Sequence, residues 1–470
     1  MIDVNSVTDT IEAPIEGWRD LLGREFLGTS TLLAGGVALY ATNEFITVSL
    51  LPSTVADIGG ERLYAWVTTL YLVGSVVAAV TVKSALLRIG ARSSYLLGLA
   101  VFGFGSLVCA MAPSMETLLV GRTLQGAAGG LLTGLSYAII NTALPRSLWT
   151  RASALVAAMW GVATVAGPAI GGVFAQFGLW RCAFGAVAVL TAAAAVLVPR
   201  VLPADRGDDR DDAPPSKVPL WSLLLLGSAA LGVSVAEVPQ KLPAMIGLLL
   251  ISVVLVAVFL VLERRVSVTV LPASVFGAGP LKWIYVTMGL LMGVAMIDMY
   301  VPLFGQRLAH LSPVVAGFLG AALAVGWTLG ELVSASLSDK QLIVRVVAAG
   351  PLVMASGLAL CALTQVDNAT RGMVALWIFG LLISGTGIGM AWPHLSAWAM
   401  ETAEDGAAAA AINTVQLISG AYAAGVAGVV VNAAGLGDAS SARWLFTVFA
   451  GLGAVGALAS YRAGRGRRYR

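Results

Sequence analysis

Charge is scarce in this 470-residue chain: Asp, Glu, Lys and Arg make up 11% of it, and only 2 histidines are present. Beside 58% hydrophobic residues, that shortage excludes an ordinary water-soluble domain. The 3 cysteines, Cys109, Cys182 and Cys361, lie within or at the ends of apolar runs without metal-ligand spacing, so no metal centre is expected on them. No phosphate-binding loop, nucleophile motif or metal motif occurs, and neither an enzyme, ATP hydrolysis nor a cofactor is expected. Residues 1–28 carry Asp3, Asp9, Glu12 and Glu16 but no short apolar core with a cleavage site, so no removable signal peptide is expected there. The net charge of +3 comes from Lys and Arg in loops and gives no nucleic-acid signal.

Long apolar runs are abundant. A helix needs about 20 apolar residues to span a bilayer. Such runs fall near 29–51, 63–82, 93–112, 116–141, 152–175, 181–200, 219–236, 243–262, 280–304, 311–336, 343–363, 373–398, 407–433 and 443–462, fourteen in all. With the N-terminus inside, the inner segments hold 21 of the 28 Lys and Arg, the outer segments hold 6, and Arg122 lies in the membrane. Cytoplasmic loops carry the positive charge, so both termini are expected in the cytoplasm. Ile15, Trp18, Leu22 and Phe26 oppose Glu16, Arg19, Asp20 and Arg24 at helical spacing, which predicts a short amphipathic helix on the inner leaflet. The segment Pro203–Pro219, with Asp208, Asp209, Arg210, Asp211 and Asp212, reads as a solvated linker. The expected organisation is a cytoplasmic segment 1–28, a six-helix bundle 29–200, a linker with two helices 201–279, a second six-helix bundle 280–462 and a basic tail 463–470.

Charges inside these runs are costly and mark sites by default. Arg122 sits in Gly121-Arg122-Thr123-Leu124-Gln125-Gly126, and Glu44, Asp298 and Glu331 lie in other runs. At about 1.5 Å per residue, Glu44 comes about 22 Å above the inner face, Arg122 about 21 Å and Asp298 about 26 Å. A carboxyl group out of water favours its neutral form and a guanidinium beside it favours the charged form, so such a pair is suited to taking up and releasing a proton. A purely structural bridge between helices is the alternative. His394 falls near an inner edge, where simple hydration is expected. Tyr40, Trp66, Trp160, Tyr300, Trp327 and Trp392 are candidates to line an aromatic pocket for flat cations, with packing or lipid contact as the alternative. Ala163, Gly167 and Gly171 recur four residues apart as a smooth ridge, and Pro168 removes the hydrogen bond to the Thr164 carbonyl.

Two of these pieces resemble motifs of the major facilitator superfamily. The Arg122–Gly126 piece is similar to the fourth-helix motif of proton-linked members, and Gly167-Pro168 with Gly171-Gly172 is similar to the fifth-helix motif of drug exporters. Trp180-Arg181-Cys182-Ala183-Phe184, Gly385-Thr386-Gly387-Ile388-Gly389 with Pro393, and Ala409–Thr414 extend the resemblance over most of the chain. Six runs, then two, then six resemble the fourteen-helix drug:proton antiporter branch. The resemblance implies an all-α fold of two pseudo-symmetric six-helix bundles plus two additional transmembrane helices. It also implies a monomer in a bacterial inner membrane that exports small amphipathic substrates against protons. Glu44, Arg122 and Asp298 would then carry coupling. Asn43, Tyr40, Gln125, Trp160, Tyr300 and Trp327 would line the cavity.

Two stretches depart from the family pattern. After the second run the family's Gly-x-Leu-Ala-Asp-Arg-x-Gly-Arg-Lys reads Lys83-Ser84-Ala85-Leu86-Leu87-Arg88-Ile89-Gly90-Ala91-Arg92, which keeps Arg88, Gly90 and Arg92 but loses the acid to Leu87. Gating at that end is therefore expected to use Asp339, Lys340 and Glu331. Aligned on Leu51-Pro52, Asn43 takes the place of the exporters' first-helix Asp, and Glu44 follows about 100° further around the helix. Export of the cell's own lipids and a non-transporting sensor remain alternatives.

Overall fold

The computed structural model describes residues 18–79, 81–145, 148–202, 220–236, 242–266, 273–277, 279–402, 408–434 and 438–465. The linker 203–219, the tail 466–470 and Ile15 and Glu16 of the expected amphipathic helix lie outside the described residues. No strand occurs among the described residues.

A single turn, α1 (Trp18–Leu21), precedes the first long helix and is shorter than the amphipathic helix expected there. The first half contains α2 (Leu27–Ile58), α3 (Trp66–Ala79), α4 (Val82–Ala110), α5 (Met115–Ala143), α6 (Trp149–Gln176) and α7 (Trp180–Val201). Two further helices follow, α8 (Leu220–Val235) and α9 (Leu242–Glu263). The second half contains α10 (Leu281–Ala295), α11 (Val301–Ala309), α12 (Pro313–Ala335), α13 (Lys340–Thr364), α14 (Arg371–Thr402), α15 (Ala408–Ala434) and α16 (Ala439–Arg465). A helix occupies each apolar run, with α10 and α11 sharing one. Among the described residues, 11 helical stretches are long and apolar enough to cross a membrane.

Local chemistry sets the breaks. Gly59 and Gly60 take left-handed φ values of 73° and 83° and end α2. Gly90, at φ 82°, breaks α4 within the stretch expected to be a loop, so residues 82–89 form an extra helical piece before the kink. Pro302 cannot donate to the Asp298 carbonyl. The Val301 N–H takes that carbonyl instead, and Met296–Tyr300 becomes a 3₁₀ turn between α10 and α11 where the sequence predicts one continuous run. Asp339 caps α13 by accepting the Gln341 and Leu342 backbone N–H groups at 2.8 and 3.3 Å.

The two halves repeat one packing scheme. Gly121 of α5 lies against Gly105 and Cys109 of α4, and Gly380 of α14 lies in the same way against Gly357 and Cys361 of α13. Gly126 and Gly130 of α5 approach the backbone of Tyr71 and Ser75 in α3, while Gly385 and Gly389 of α14 approach that of Leu323 and Trp327 in α12. These matched contacts make α12, α13 and α14 of the second half repeat α3, α4 and α5 of the first. Helix α8 packs against α3 of one half and α15 of the other, and α9 packs on α8, so the extra pair covers a seam between the bundles. Trp66 Nε1 donates to the Ser234 carbonyl at 3.0 Å and joins α3 to α8.

Close approach of this kind tolerates no added carbon. A Cβ on Gly126 would lie 2.7 Å from the Tyr71 Cα, whereas one on Gly161 would meet nothing within 4 Å. Gly126→Ala is expected to cost about 1–3 kcal/mol and lower the thermal midpoint in detergent, with Gly161→Ala unchanged or slightly higher. Equal midpoints for the two variants would contradict the packing scheme.

Candidate functional site

A polar network crosses the first half where α2, α3, α4 and α5 meet. Arg122, 1% exposed, donates from Nη1 to Gln125 Oε1 at 2.9 Å and from Nε to the Val67 carbonyl at 3.4 Å. Its guanidinium lies 4.0 Å from the centre of the Tyr71 ring. Gln125 Nε2 donates to Ser106 Oγ at 2.9 Å and to Asn43 Oδ1 at 3.3 Å. Tyr71 donates its hydroxyl to the Tyr40 carbonyl at 2.9 Å, and the two rings stack at 5.1 Å. Trp160 of α6 meets Tyr40 edge-on at 5.8 Å. One residue type at each point explains the arrangement: Gln125 supplies both an acceptor for the cation and donors for two neutral oxygens.

Among the described residues, Arg122 has no carboxylate at ion-pair distance. The sequence reading expects a carboxylate partner; the structure supplies a carboxamide, a carbonyl and an aromatic face instead. A desolvated cation over a tyrosine gains about 2 kcal/mol, which offsets part of the cost of burial. Glu44 is half-buried one position beyond the fully buried Asn43, and it is Asn43 that joins the internal network through Gln125. Asp298 is itself half-buried in the 3₁₀ turn.

The halves are fastened together next to this point, at the end where α2 finishes. Tyr64 donates to the Met299 carbonyl at 3.2 Å and stacks on Tyr300 at 4.8 Å. Glu61 pairs with Arg307 at 2.6 Å, and Asn432 Nδ2 donates to the Arg62 carbonyl at 3.2 Å. Gly167 and Gly171 face Phe45, Ile46 and Ser49 of α2, while Gly172 meets Val314 and Pro168 meets Gly317 of α12. The small-residue ridge therefore packs within its own half, and the neighbouring Pro168 and Gly172 form the contact with the other. At the same end Arg181 and Trp180 both hydrogen-bond Asp57, in the last turn of α2 beyond the apolar run, and hold its carboxyl below the usual range.

The other sequence candidates have separate positions. Tyr300 is fully buried between Tyr64 and Phe304, so it belongs to the fastening rather than to an open cavity. Trp66 is engaged with α8. Trp327 and Trp392 pack together at 5.6 Å, and Glu331 is half-buried one turn along α12 from Trp327. His394 is buried and its Nε2 lies 2.9 Å from Ser334 Oγ, in place of the hydrated position expected. Arg88 is exposed on the piece before the Gly90 kink, and Arg92 follows it. Asp339 is committed to its helix cap, and Lys340 beside it is exposed. Tyr71, Ser106 and the Glu61–Arg307 pair escape the sequence reading, because each meets its partner from a different helix.

Replacing Gln125 by Leu leaves the guanidinium without its side-chain acceptor. Gln125→Leu is expected to lose about 1.5–3 kcal/mol of stability, read as a lower unfolding midpoint in detergent. A midpoint equal to the wild type would show that Tyr71 and the Val67 carbonyl suffice.

Known proteins agree with this architecture. The profile of the Major Facilitator Superfamily matches residues 33–424. A probable multidrug-efflux transporter of Mycobacterium tuberculosis is 65% identical over 453 residues, covering 95% of this chain and 96% of its own. A puromycin resistance protein of Streptomyces alboniger is 28% identical over 312 residues, covering 63% and 60%. Among solved structures, an auto-inhibited POT family peptide transporter superposes with a TM-score of 0.67 at 15% identity, covering 94% of this chain and 97% of its own. A D-xylose–proton symporter gives 0.66 at 14% identity, covering 93% and 97%. With a family match across most of its length, a close relative over nearly all of it and the same two-bundle fold, this chain belongs to the major facilitator superfamily.

Proposed function

We propose that this protein is a proton-coupled exporter of amphipathic, lipophilic compounds, working by alternating access between its two halves. The observation that carries the proposal is the pair Glu44 and Asp298: one half-buried carboxyl from each half, with Asp298 in the 3₁₀ turn whose Met299 carbonyl accepts from Tyr64 of the first half. Two like charges in a poorly screened space repel, so either a proton or a cationic cargo relieves the pair, and the two compete. Competition for one site is what exchange requires. Arg122, fixed behind Tyr71, supplies a permanent positive charge that limits how much cation the site holds. Each elementary charge carried across the membrane contributes about 2.3 kcal/mol per 100 mV.

In this reading the fastened end faces outward, in line with the 6 basic residues on that side against 21 on the other. Release of cargo requires Tyr64, Tyr300, Glu61 and Arg307 to part. The named activities of the mycobacterial and Streptomyces relatives support drug-like cargo.

In cells loaded with a cationic fluorescent dye, Glu44→Gln and Asp298→Asn are each expected to cut efflux at least about tenfold, the scale of a lost proton-transfer group. An uncoupler should stop wild-type efflux. Efflux that survives both substitutions and ignores the uncoupler would remove the coupling mechanism.

A further inference from the structure

A cavity lies between α9 and the second bundle. It holds about 790 Å³, within the range of about 300–1,000 Å³ usual for ligand pockets. Val253, Val256 and Leu260 of α9 form one wall, and Val286, Leu290 and Gly293 of α10 form the opposite one. Helix α9 packs on α8, so the slot remains between α9 and α10. One end carries two cations: Arg264, stacked 5.2 Å from the Phe276 ring, and Lys282, near the Trp283 ring. From Lys282 to Val294 the slot follows α10 for about 18 Å at about 1.5 Å per residue, close to one leaflet of an about 30 Å hydrocarbon core. Tyr285 lines it and is 4% exposed. An apolar bore one leaflet long with a basic mouth has the polarity profile of an anionic phospholipid: charged head and hydrocarbon tail.

We propose that this slot is a binding site for an anionic phospholipid, with an acyl chain between α9 and α10 and the phosphate at Arg264 and Lys282. Basic pockets between membrane helices select anionic headgroups by charge, while the apolar bore accepts any chain. The lipid would wedge the extra helix pair against α10, α15 and α16, joining that pair to the second bundle along a face where the protein's own side chains leave a gap.

The test is native mass spectrometry of the purified full-length protein in detergent, with phosphatidylglycerol and phosphatidylcholine supplied in equal amounts. Wild type is expected to retain phosphatidylglycerol over phosphatidylcholine by at least about fivefold, the discrimination two interfacial cations supply. The double variant Arg264→Ala, Lys282→Ala should bring the ratio near one, and Val286→Trp, which fills the bore, should reduce retention of both lipids. Phosphatidylglycerol with a photoreactive chain offers a measurement on wild type alone, with crosslinks expected in residues 253–260 and 285–294. Equal retention of both lipids by wild type, a preference that survives both variants, or crosslinks spread evenly over the other lipid-facing helices would overturn the proposal. So would displacement of the retained lipid by an equimolar transported dye, which would make the slot an entrance for cargo.

Discussion

In a bilayer, lipid tails compete with apolar side chains on nearly equal terms, so helices hold together through close backbone approach and polar contacts. The glycine contacts of this protein satisfy that constraint twice over. Gly121, Gly126 and Gly130 seat α5 against α4 and α3, and Gly380, Gly385 and Gly389 seat α14 against α13 and α12. Arg122 rides on the first of these helices. Its position under Tyr71 follows from how closely α5 lies on α3, because Gly126 and Gly130, one and two turns further along α5, bring the two backbones together.

The repeat is symmetric in packing and asymmetric in chemistry. Where the first half has Tyr71, Arg122 and Ser106, the matched positions of the second half are Leu323, Leu381 and Leu358, all buried. Charge in the second half is concentrated instead at Asp298, in a turn that exists because Pro302 cannot complete the helix. The cation is thus rigid within one bundle, and the opposing carboxyl sits on an irregular segment of the other. An irregular segment inside the membrane, lying where two repeats meet, is where transporters of this architecture place substrate and ion sites.

Much of this was legible in the amino-acid order, and the limits are physical. Apolar runs announce helices because a bilayer demands length and hydrophobicity together. Arg122 and Gln125 stand three residues apart, which puts them on one helix face. That spacing already contained the cation's true partner, although a carboxylate was the expected one. The turn at Asp298 also had a signal in Pro302, but a single proline does not say whether a membrane helix kinks or breaks. Tyr71 carries no local signal at all, since its contact with Arg122 joins helices 51 residues apart in sequence. Tyr300 looked like a pocket residue because aromatic rings serve packing and binding alike; only its stack on Tyr64 distinguishes the two.

The account stands or falls on the fastening at the end of α2 coming apart during transport. Cysteines placed by Glu61→Cys and Arg307→Cys, in a chain whose exposed Cys182 is changed to Ser, can be bridged by a reducible bis-thiosulfonate reagent. Dye export by the purified protein in liposomes under a pH gradient should stop when the bridge forms and return when dithiothreitol removes it. Export at the wild-type rate with the bridge intact would contradict the account, because the two halves would then be moving cargo without separating at this end.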